Sequence, residues 1–353
     1  MFTEQTNHRK SEASPASIQR VVYFALPTLL IIGALIAYKS SAALAVIDKV
    51  SATGALTPRS NVIPLVGASG ASVLTRTLNY FLVIWPALLF GILISAAVTT
   101  FVSPRWLARA LGKGSLRAQI IAGAAGAPLM LCSCCVAPIF KGVYERSARL
   151  GPSLGLMLAA PALNPAALIL TFMLFDYRVA GIRAAASIAA VLFTGMIADK
   201  IFRGARVPCE VDDASQDLSG RSHLLRFCRS CIQTALRVTP VIVIGILLSM
   251  IIAQWLPDRA LTASHTRLMA VIVIATLAVP LALPTFFEIP LALVLLASGA
   301  PIGAALALLI AGPAINLPSL LTIMRSTSWK VAAVVAASVW LIAVASGILV
   351  NSI

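Results

Sequence analysis

The stretch "APLMLCSCCVAPIF", residues 127–140, interrupts an apolar run that is otherwise long enough to enter a membrane. Proline removes a backbone donor and breaks a helix, and prolines lie near both ends of this stretch. The surrounding run, 118–147, is therefore predicted to form a re-entrant helical hairpin that enters and leaves on one side. Such a turn is tolerated only where protein or a water-filled cavity covers its backbone. A kinked full span is the alternative.

A second apolar run, 267–298, carries a similar interruption, "PLALPTFFEIP", at 280–290. The two hairpins match at an offset of 152 residues, and the same offset aligns "APALNPAAL" (160–168) with "GPAINLPSL" (312–320). Just upstream, "WPALLFGILIS" matches "TPVIVIGILLS" at an offset of 154 residues. Matches held at one offset over such a length are not expected by chance, so we interpret them as an internal repeat.

The composition places the chain in a membrane. Its 353 residues are 59% hydrophobic and 11% charged, whereas a water-soluble domain is about a quarter charged. The N-terminal residues have no apolar core of a cleavable signal peptide, so the first apolar segment is expected to stay in the protein. The predicted full spans are 20–38, 79–102, 153–175, 179–202, 238–256, 303–324 and 331–350.

The positive charges predict the orientation. With a cytoplasmic N-terminus and two re-entrant hairpins, the inner segments carry 19 of the 27 Lys and Arg residues. The outer segments keep eight, Arg183 among them. This is the bias expected of inner loops, and it makes span 79–102 run inward while its partner 238–256 runs outward. A net charge of +15 placed in short loops does not require a nucleic-acid partner.

The sequence therefore predicts an all-α polytopic membrane protein of the cell inner membrane, with about seven full transmembrane helices plus two re-entrant helical hairpins in an inverted repeat. Inverted repeats with broken helices are typical of secondary transporters. The predicted organisation in chain order is a disordered cytoplasmic N-terminus (1–19), a first transmembrane helix with an outer loop (20–78), the first repeat (79–202), a cytoplasmic linker (203–237) and the second repeat (238–350).

The first candidate site is the turn formed by Cys132, Ser133, Cys134 and Cys135. Thiolates are soft ligands that select thiophilic species over hard cations, and a helix N-terminus favours the thiolate form. Two or three thiols would suit a trivalent arsenical or a transition-metal cation. We expect Cys132 and Cys134 to share a direction more readily than Cys135 does. The alternative is that these residues only pack, because free Cys is often buried.

Three further polar residues are candidates near this turn. Glu288 lies at the corresponding turn of the second hairpin, and a carboxylate at membrane depth indicates function. It could accept protons in a proton-coupled antiporter, or it could lie at a water-exposed end of the hairpin. Asn164 and Asn316 stand just before prolines, where their amides could cap a broken helix, contact substrate, or do both.

The remaining motifs are weaker evidence for a functional site. Cys228 and Cys231 lie one helical turn apart beside His223, which could make a two-thiol acceptor, but an amphipathic helix leading into the next span explains them better. The sequence shows no phosphate-binding loop and no Ser/His/Asp arrangement, and none of its three histidines lies within a predicted span. We therefore predict no enzyme activity and no cofactor.

The element Pro128–Cys132–Ser133–Cys134–Pro138, the motif "APALNP" and their echo at 280–318 resemble the ArsP-like family of predicted permeases, which includes YraQ-type proteins. The resemblance covers most of residues 79–350. It implies an inner-membrane permease; some members export trivalent organoarsenicals and others are linked to metal efflux. It also implies that Cys132 and Cys134 are thiophile ligands near both asparagines, with Cys135 extending the usual pair.

The leading hypothesis is a secondary efflux permease for a thiophilic small molecule or metal ion, acting by alternating access with proton exchange at Glu288. A membrane thiol redox or sulfur-handling protein is the second. A permease for an unrelated solute, in which the cysteines only pack, is the third. The oligomeric state stays open at this point.

Overall fold

The structure is a computed structural model that describes residues 15–53, 73–101, 111, 116–147, 149–202, 220–254, 267–283, 286–297 and 299–352. Within these ranges it contains helices and no strand. In chain order the α-helices are α1 (Pro15–Thr53), α2 (Val73–Phe101), α3 (Leu116–Gly126), α4 (Ser133–Ser147), α5 (Leu150–Ala162), α6 (Pro165–Leu174), α7 (Tyr177–Ile201), α8 (Gly220–Gln254), α9 (Arg267–Ala278), α10 (Glu288–Ala297), α11 (Ile302–Ala314), α12 (Leu317–Ser326) and α13 (Trp329–Ser352).

The helices confirm an all-α polytopic membrane protein. In the described part of the chain, five helices are long and apolar enough to cross a membrane: α1, α2, α7, α8 and α13. Two helix pairs, α5 with α6 and α11 with α12, are each bent at a short break, by 41° and 43°. Counting each pair as one span gives up to seven spans.

The two bent pairs correspond to the predicted spans 153–175 and 303–324, within which prolines were expected to break the helix. In each, the break falls at the Asn–Pro motif, because proline removes a backbone donor and the preceding asparagine caps the new helix. The Asn164 side-chain oxygen accepts hydrogen bonds from the backbone N–H groups of Ala166 (3.1 Å) and Ala167 (3.4 Å). Asn316 and Ser319 form a reciprocal capping box. The predicted capping role of both asparagines is confirmed.

Helix α1 is longer than predicted. The sequence assigned a span to 20–38 and an outer loop from residue 40, but the helix continues to Thr53. The extra turns contain "SSAALAVIDK", in which alanines and other good helix formers favour continuation. Residues 54–72 of the predicted outer loop, most of the predicted disordered N-terminus and residues 203–219 of the predicted linker lie outside the described residues. The rest of that linker forms the first turns of α8. The end of the predicted outer loop forms the start of α2.

The two predicted hairpins are pairs of short helices. In the first, α3 and α4 are separated by a 3₁₀ turn (Ala127–Leu129) and residues 130–132. In the second, α9 and α10 are separated by residues 279–287, of which 284–285 lie outside the described ranges. At about 1.5 Å per residue none of these four helices exceeds about 23 Å, less than the hydrocarbon thickness of about 30 Å. Each of these helices alone is therefore too short to cross the membrane.

The internal repeat is also present in the helix boundaries. Helices α11, α12 and α13 begin 152 residues after α5, α6 and α7. A hydrogen bond between matched helices repeats as well: the carboxylate of Asp199 accepts from the backbone N–H of Gly151 at 2.9 Å, and the amide oxygen of Asn351 accepts from Gly303 at 2.9 Å. Corresponding helices in the two halves therefore pack in the same way at this contact.

Candidate functional site

The three thiols of the first hairpin converge. The sulfur of Cys132 lies 3.1 Å from that of Cys134 and 2.7 Å from that of Cys135, and the third separation is 3.8 Å. Cys134 and Cys135 are fully buried, and Cys132 is 6% exposed. In the described chain they form the one group of three potential metal-ligating side chains.

Cys134 was expected to share a direction with Cys132 more readily than Cys135 does, but the sulfurs of Cys132 and Cys135 form the closest pair. Cys132 immediately precedes α4, and the backbone N–H of Cys135 donates to the Cys132 carbonyl at 3.0 Å. Residues three apart on a helical turn lie on one face. Cys135 is thus a full member of the cluster, and Ser133, at the start of α4, is buried as well.

The separations suit a three-coordinate centre. A point equidistant from the three sulfurs lies about 1.9 Å from each of them, whereas a metal–sulfur bond is about 2.3 Å long. A centre bound at that length would stand about 1.3 Å out of the plane of the sulfurs. Three thiols on one side of a pyramidal centre leave its opposite side open for another group.

Helix α2 holds the thiol turn in place. Gly91 packs directly against the backbone carbonyl of Cys135, and the Cys135 thiol lies 3.8 Å from the carbonyl oxygen of Ile84. The fully buried hydroxyl of Tyr80, also on α2, lies beside the thiols, where it interacts with Cys134. Sequence reasoning missed Tyr80, because nothing in its own neighbourhood connects it to a turn more than 50 residues away.

Replacing Gly91 by alanine should weaken thiophile binding by about 10-fold or more, the usual cost of disturbing a residue that supports metal ligands. The added Cβ would collide with the Cys135 carbonyl and push α2 away from α4. Titration of purified protein with methylarsenite measures the effect.

Gly181→Ala is the matched control, because it adds the same methyl group to a helix at a position with no atom within 4 Å. Equal affinities for the two variants would contradict the supporting role of Gly91.

One small cavity joins residues from both halves of the chain. Its lining includes Cys132 from the first hairpin, Glu288 from the second, and Asn164 at the break of the first bent pair. Four apolar residues complete it: Leu131, Pro161, Leu283 and Pro313. The space holds about one water molecule, so the described conformation is closed around this point.

Asn316 does not line the cavity, although the neighbouring Pro313 does. It is fully buried, and its amide nitrogen has no hydrogen-bond partner among the described residues. Cys134 and Cys135 contact Cys132 but are not part of the cavity lining. Of the predicted site residues, Cys132, Asn164 and Glu288 therefore share the cavity directly.

Glu288 forms a buried ion pair that the sequence did not indicate. Its carboxylate lies 3.2 Å from the guanidinium of Arg183 on α7, with side-chain exposures of 3% and 0%. Arg183 also donates to the Thr171 hydroxyl and to the Ala167 carbonyl. Both earlier placements are wrong: Glu288 is not at a water-exposed end, and Arg183 is not in an outer segment. An arginine inside the predicted span 179–202 was the available signal, because charges there are costly.

The pair Cys228 and Cys231 lies on α8 away from any third ligand in the described chain. Cys228 is exposed and Cys231 is partly buried. Both belong to the continuous helix that leads into the next span, which agrees with the interpretation as a helix face. The side chain of His223 lies outside what is described.

Comparison with known proteins gives the family. The family ArsP_1, described as "Predicted permease", matches residues 70–352. UPF0718 protein YraQ of Escherichia coli K12 is 28% identical over 274 residues, covering 76% of this chain and 78% of that protein. UPF0718 protein MJ0584 of Methanocaldococcus jannaschii is 22% identical over 305 residues, covering 68% and 84%. No solved structure shows significant similarity.

These matches confirm the resemblance drawn from the Cys-Ser-Cys element and the paired asparagine motifs. The family match covers most of the chain, including both hairpins and both bent pairs. A membrane-embedded, all-helical architecture is what a permease requires. The chain therefore belongs to the ArsP-like family of predicted permeases and is a multi-pass membrane transporter.

Proposed function

We propose that the protein is a secondary transporter of the cell inner membrane that exports a thiophilic substrate, such as a trivalent organoarsenical or a soft metal ion. The observation that carries this proposal is the convergence of three buried thiols beside a cavity that both halves of the chain line. Cys132, Cys134 and Cys135 bind the substrate, and Asn164 and Glu288 lie on the cavity side of it.

The chemistry of the cluster supports this substrate class. Sulfur ligands select soft centres, and three of them lie together at this turn. Arsenite can form three bonds to the cluster, whereas a trivalent organoarsenical keeps one bond to carbon and binds two of the thiols. Tyr80 supplies a buried hydroxyl next to the sulfurs, where it can donate to a thiolate or to an oxygen on the substrate.

Alternating access around this cavity is the transport mechanism that we propose. Opening the closed cavity to one side and then the other requires motion of the hairpins or bent helices that line it. Both hairpin breaks contain a non-glycine residue with positive φ, Met130 at 49° and Phe286 at 72°. Such conformations are costly and cluster at functional sites. An inverted arrangement of the halves, with the N-terminus in the cytoplasm, would make the two openings equivalent.

Proton exchange at Glu288 is less well supported than substrate binding by the thiols. A proton carrier must exist both charged and neutral, whereas the charge of Glu288 is balanced by Arg183. Protonating the carboxylate would leave a guanidinium buried without its partner, which is strongly unfavourable. We therefore assign the pair to holding the second hairpin against α7.

Transport into everted membrane vesicles tests the proposal. Wild type should accumulate arsenite, methylarsenite or copper, and the Cys132→Ser/Cys134→Ser variant should lose most of this uptake because two of three soft ligands are gone. The matched control is Cys228→Ser/Cys231→Ser, which removes two thiols from α8 and should transport normally. Uptake by the Cys132→Ser/Cys134→Ser variant equal to wild type for all three substrates would show that these thiols are not ligands.

A second candidate function is thiol redox chemistry, favoured by one observation. Cys132 and Cys135 form a Cys-x-x-Cys pair at the start of a helix, 2.7 Å apart, and such motifs are found in disulfide oxidoreductases. Trapping of cellular thiols would show a reversible Cys132–Cys135 disulfide if this function holds. Efflux that persists when the pair is kept reduced would favour transport instead.

A further inference from the structure

We propose that the protein has a second site, formed by Asp199 and Gln119, that binds a small monovalent cation, either a proton or a sodium ion. The site lies where α3, α5 and α7 meet, and none of its residues lines the thiol cavity. Binding of the cation does not depend on the proposed function. Its use as the driving ion rests on that function.

Two buried oxygen atoms at this place lack hydrogen-bond partners. One carboxylate oxygen of Asp199 accepts from the backbone N–H of Gly151 at 2.9 Å, while Oδ2 is buried and has no partner in the described chain. Gln119 is 2% exposed, and its Oε1 is equally without a partner there. Buried polar atoms are rarely left unpaired, and a bound water or ion is a usual explanation for an exception.

The two side chains approach one another across a pair of glycines. A Cβ added to Gly151 would lie 2.6 Å from the amide nitrogen of Gln119 and 2.8 Å from the carboxyl carbon of Asp199. A Cβ added to Gly195 would lie 2.5 Å from the amide oxygen of Gln119. The absence of side chains at both glycines leaves room for these polar groups between the helices.

The second repeat shows which residues are sufficient for helix packing at the matching positions. At the offset of 152 residues, Asn351 replaces Asp199 and caps Gly303 at the same 2.9 Å. Val271 replaces Gln119 and packs against Gly347, which replaces Gly195. A neutral amide and a methyl group therefore suffice for capping and packing. The negative charge and the extra amide of the first repeat exceed the structural requirement.

The charge of Asp199 also lacks a partner. Among the described residues Asp199 forms no ion pair, and Lys200, the next residue, is exposed. Tyr144 of α4 is the titratable group that interacts with it electrostatically, and a phenol supplies no positive charge. Carboxylate and amide oxygens are hard ligands, so they suit a proton or sodium ion and not the thiophile. A bound cation would neutralise the carboxylate and pair both oxygens.

Thermal unfolding of the purified full-length protein, without any thiophile, tests the site. Wild type is measured in sodium chloride against choline chloride of equal ionic strength, and in choline chloride over a range of pH. A sodium site should raise the Tm by about 5 °C when sodium is a hundred times its Kd. A proton site should show no sodium effect and should give stability that rises as the pH falls.

Asp199→Asn and Gln119→Val convert the site to the residues of the second repeat, so both variants should fold, and both should lose the cation response. Asp176→Asn is the control, because Asp176 also caps a helix but is exposed; this variant should keep the response. A wild type that responds to neither cation, or an Asp199→Asn variant that responds as wild type does, would overturn the proposal.

Proteoliposomes then test the coupling role. An imposed gradient of the binding cation should accelerate thiophile transport by wild type, and Asp199→Asn should transport at one rate with or without the gradient. Cation binding without thiophile transport would support the cation site and refute the proposed function. Gradient acceleration that persists in Asp199→Asn would refute the coupling role while the proposed function stands.

Discussion

Replacing Cys135 by serine should weaken the binding of arsenite, which can bond three thiols, by on the order of 100-fold or more, as much as replacing Cys132 does. Disturbing a residue that only supports a metal ligand already costs about 10- to 100-fold in affinity, and Cys135 itself points into the cluster, 2.7 Å from the sulfur of Cys132. Serine keeps nearly the same shape while it exchanges a soft ligand for a hard one. Isothermal titration of the purified protein gives the affinity.

The matched control is Cys228→Ser, because Cys228 is an exposed cysteine of α8 outside the cluster. This variant should bind as wild type does. The result bears on the family resemblance, which implies a two-cysteine site at Cys132 and Cys134. If Cys135→Ser binds with an affinity within threefold of wild type, the ligands are Cys132 and Cys134 alone. The third sulfur would then only pack against them.

Replacing Arg183 by methionine should destabilise the protein by about 3–5 kcal/mol, the usual cost of leaving one member of a buried ion pair uncompensated. Glu288 would then be a carboxylate that is 2% exposed in a membrane protein, with no charge opposite it. The double variant Arg183→Met/Glu288→Gln should be more stable than the single one, because no unpaired charge remains. Unfolding of the purified proteins at increasing concentrations of a denaturing detergent measures these differences in the free energy of unfolding.

The surface pair Lys141 and Glu145 provides the control. These side chains lie 3.7 Å apart at helical i,i+4 spacing and are partly exposed, so Glu145→Gln should cost no more than about 0.5 kcal/mol. If Arg183→Met costs no more than this control, the buried pair is not what holds the second hairpin to α7. Loss of transport in the stable double variant would separately indicate that Glu288 acts on the substrate.

Several features of the fold follow from local chemistry and could be predicted. Proline and asparagine disrupt and cap helices through their immediate neighbours, so "ALNP" and "AINLP" marked the two bent pairs, even though full spans were predicted there. The same logic placed the hairpin breaks between prolines. It did not place the end of α1, because a run of helix formers continues a helix regardless of where the membrane ends.

The composition of the site was only partly predictable. The three cysteines are visible as a motif, but their convergence depends on how the chain turns into α4, which decides that Cys135 returns to Cys132. Tyr80 and Gly91 belong to the site because α2 packs against that turn. No pattern around either residue distinguishes it from many other positions of an apolar helix.

By itself the sequence determined the membrane environment, the all-helical class, the repeat at 152 residues and the sulfur-rich turn, because these depend on composition and on neighbours within a few positions. Only the tertiary structure decided which distant groups meet. Arg183 and Glu288 are 105 residues apart in the chain, and Asp199 accepts a hydrogen bond from Gly151 of a different helix. Such pairings are set by helix packing, where burial makes an unpaired charge or polar atom costly.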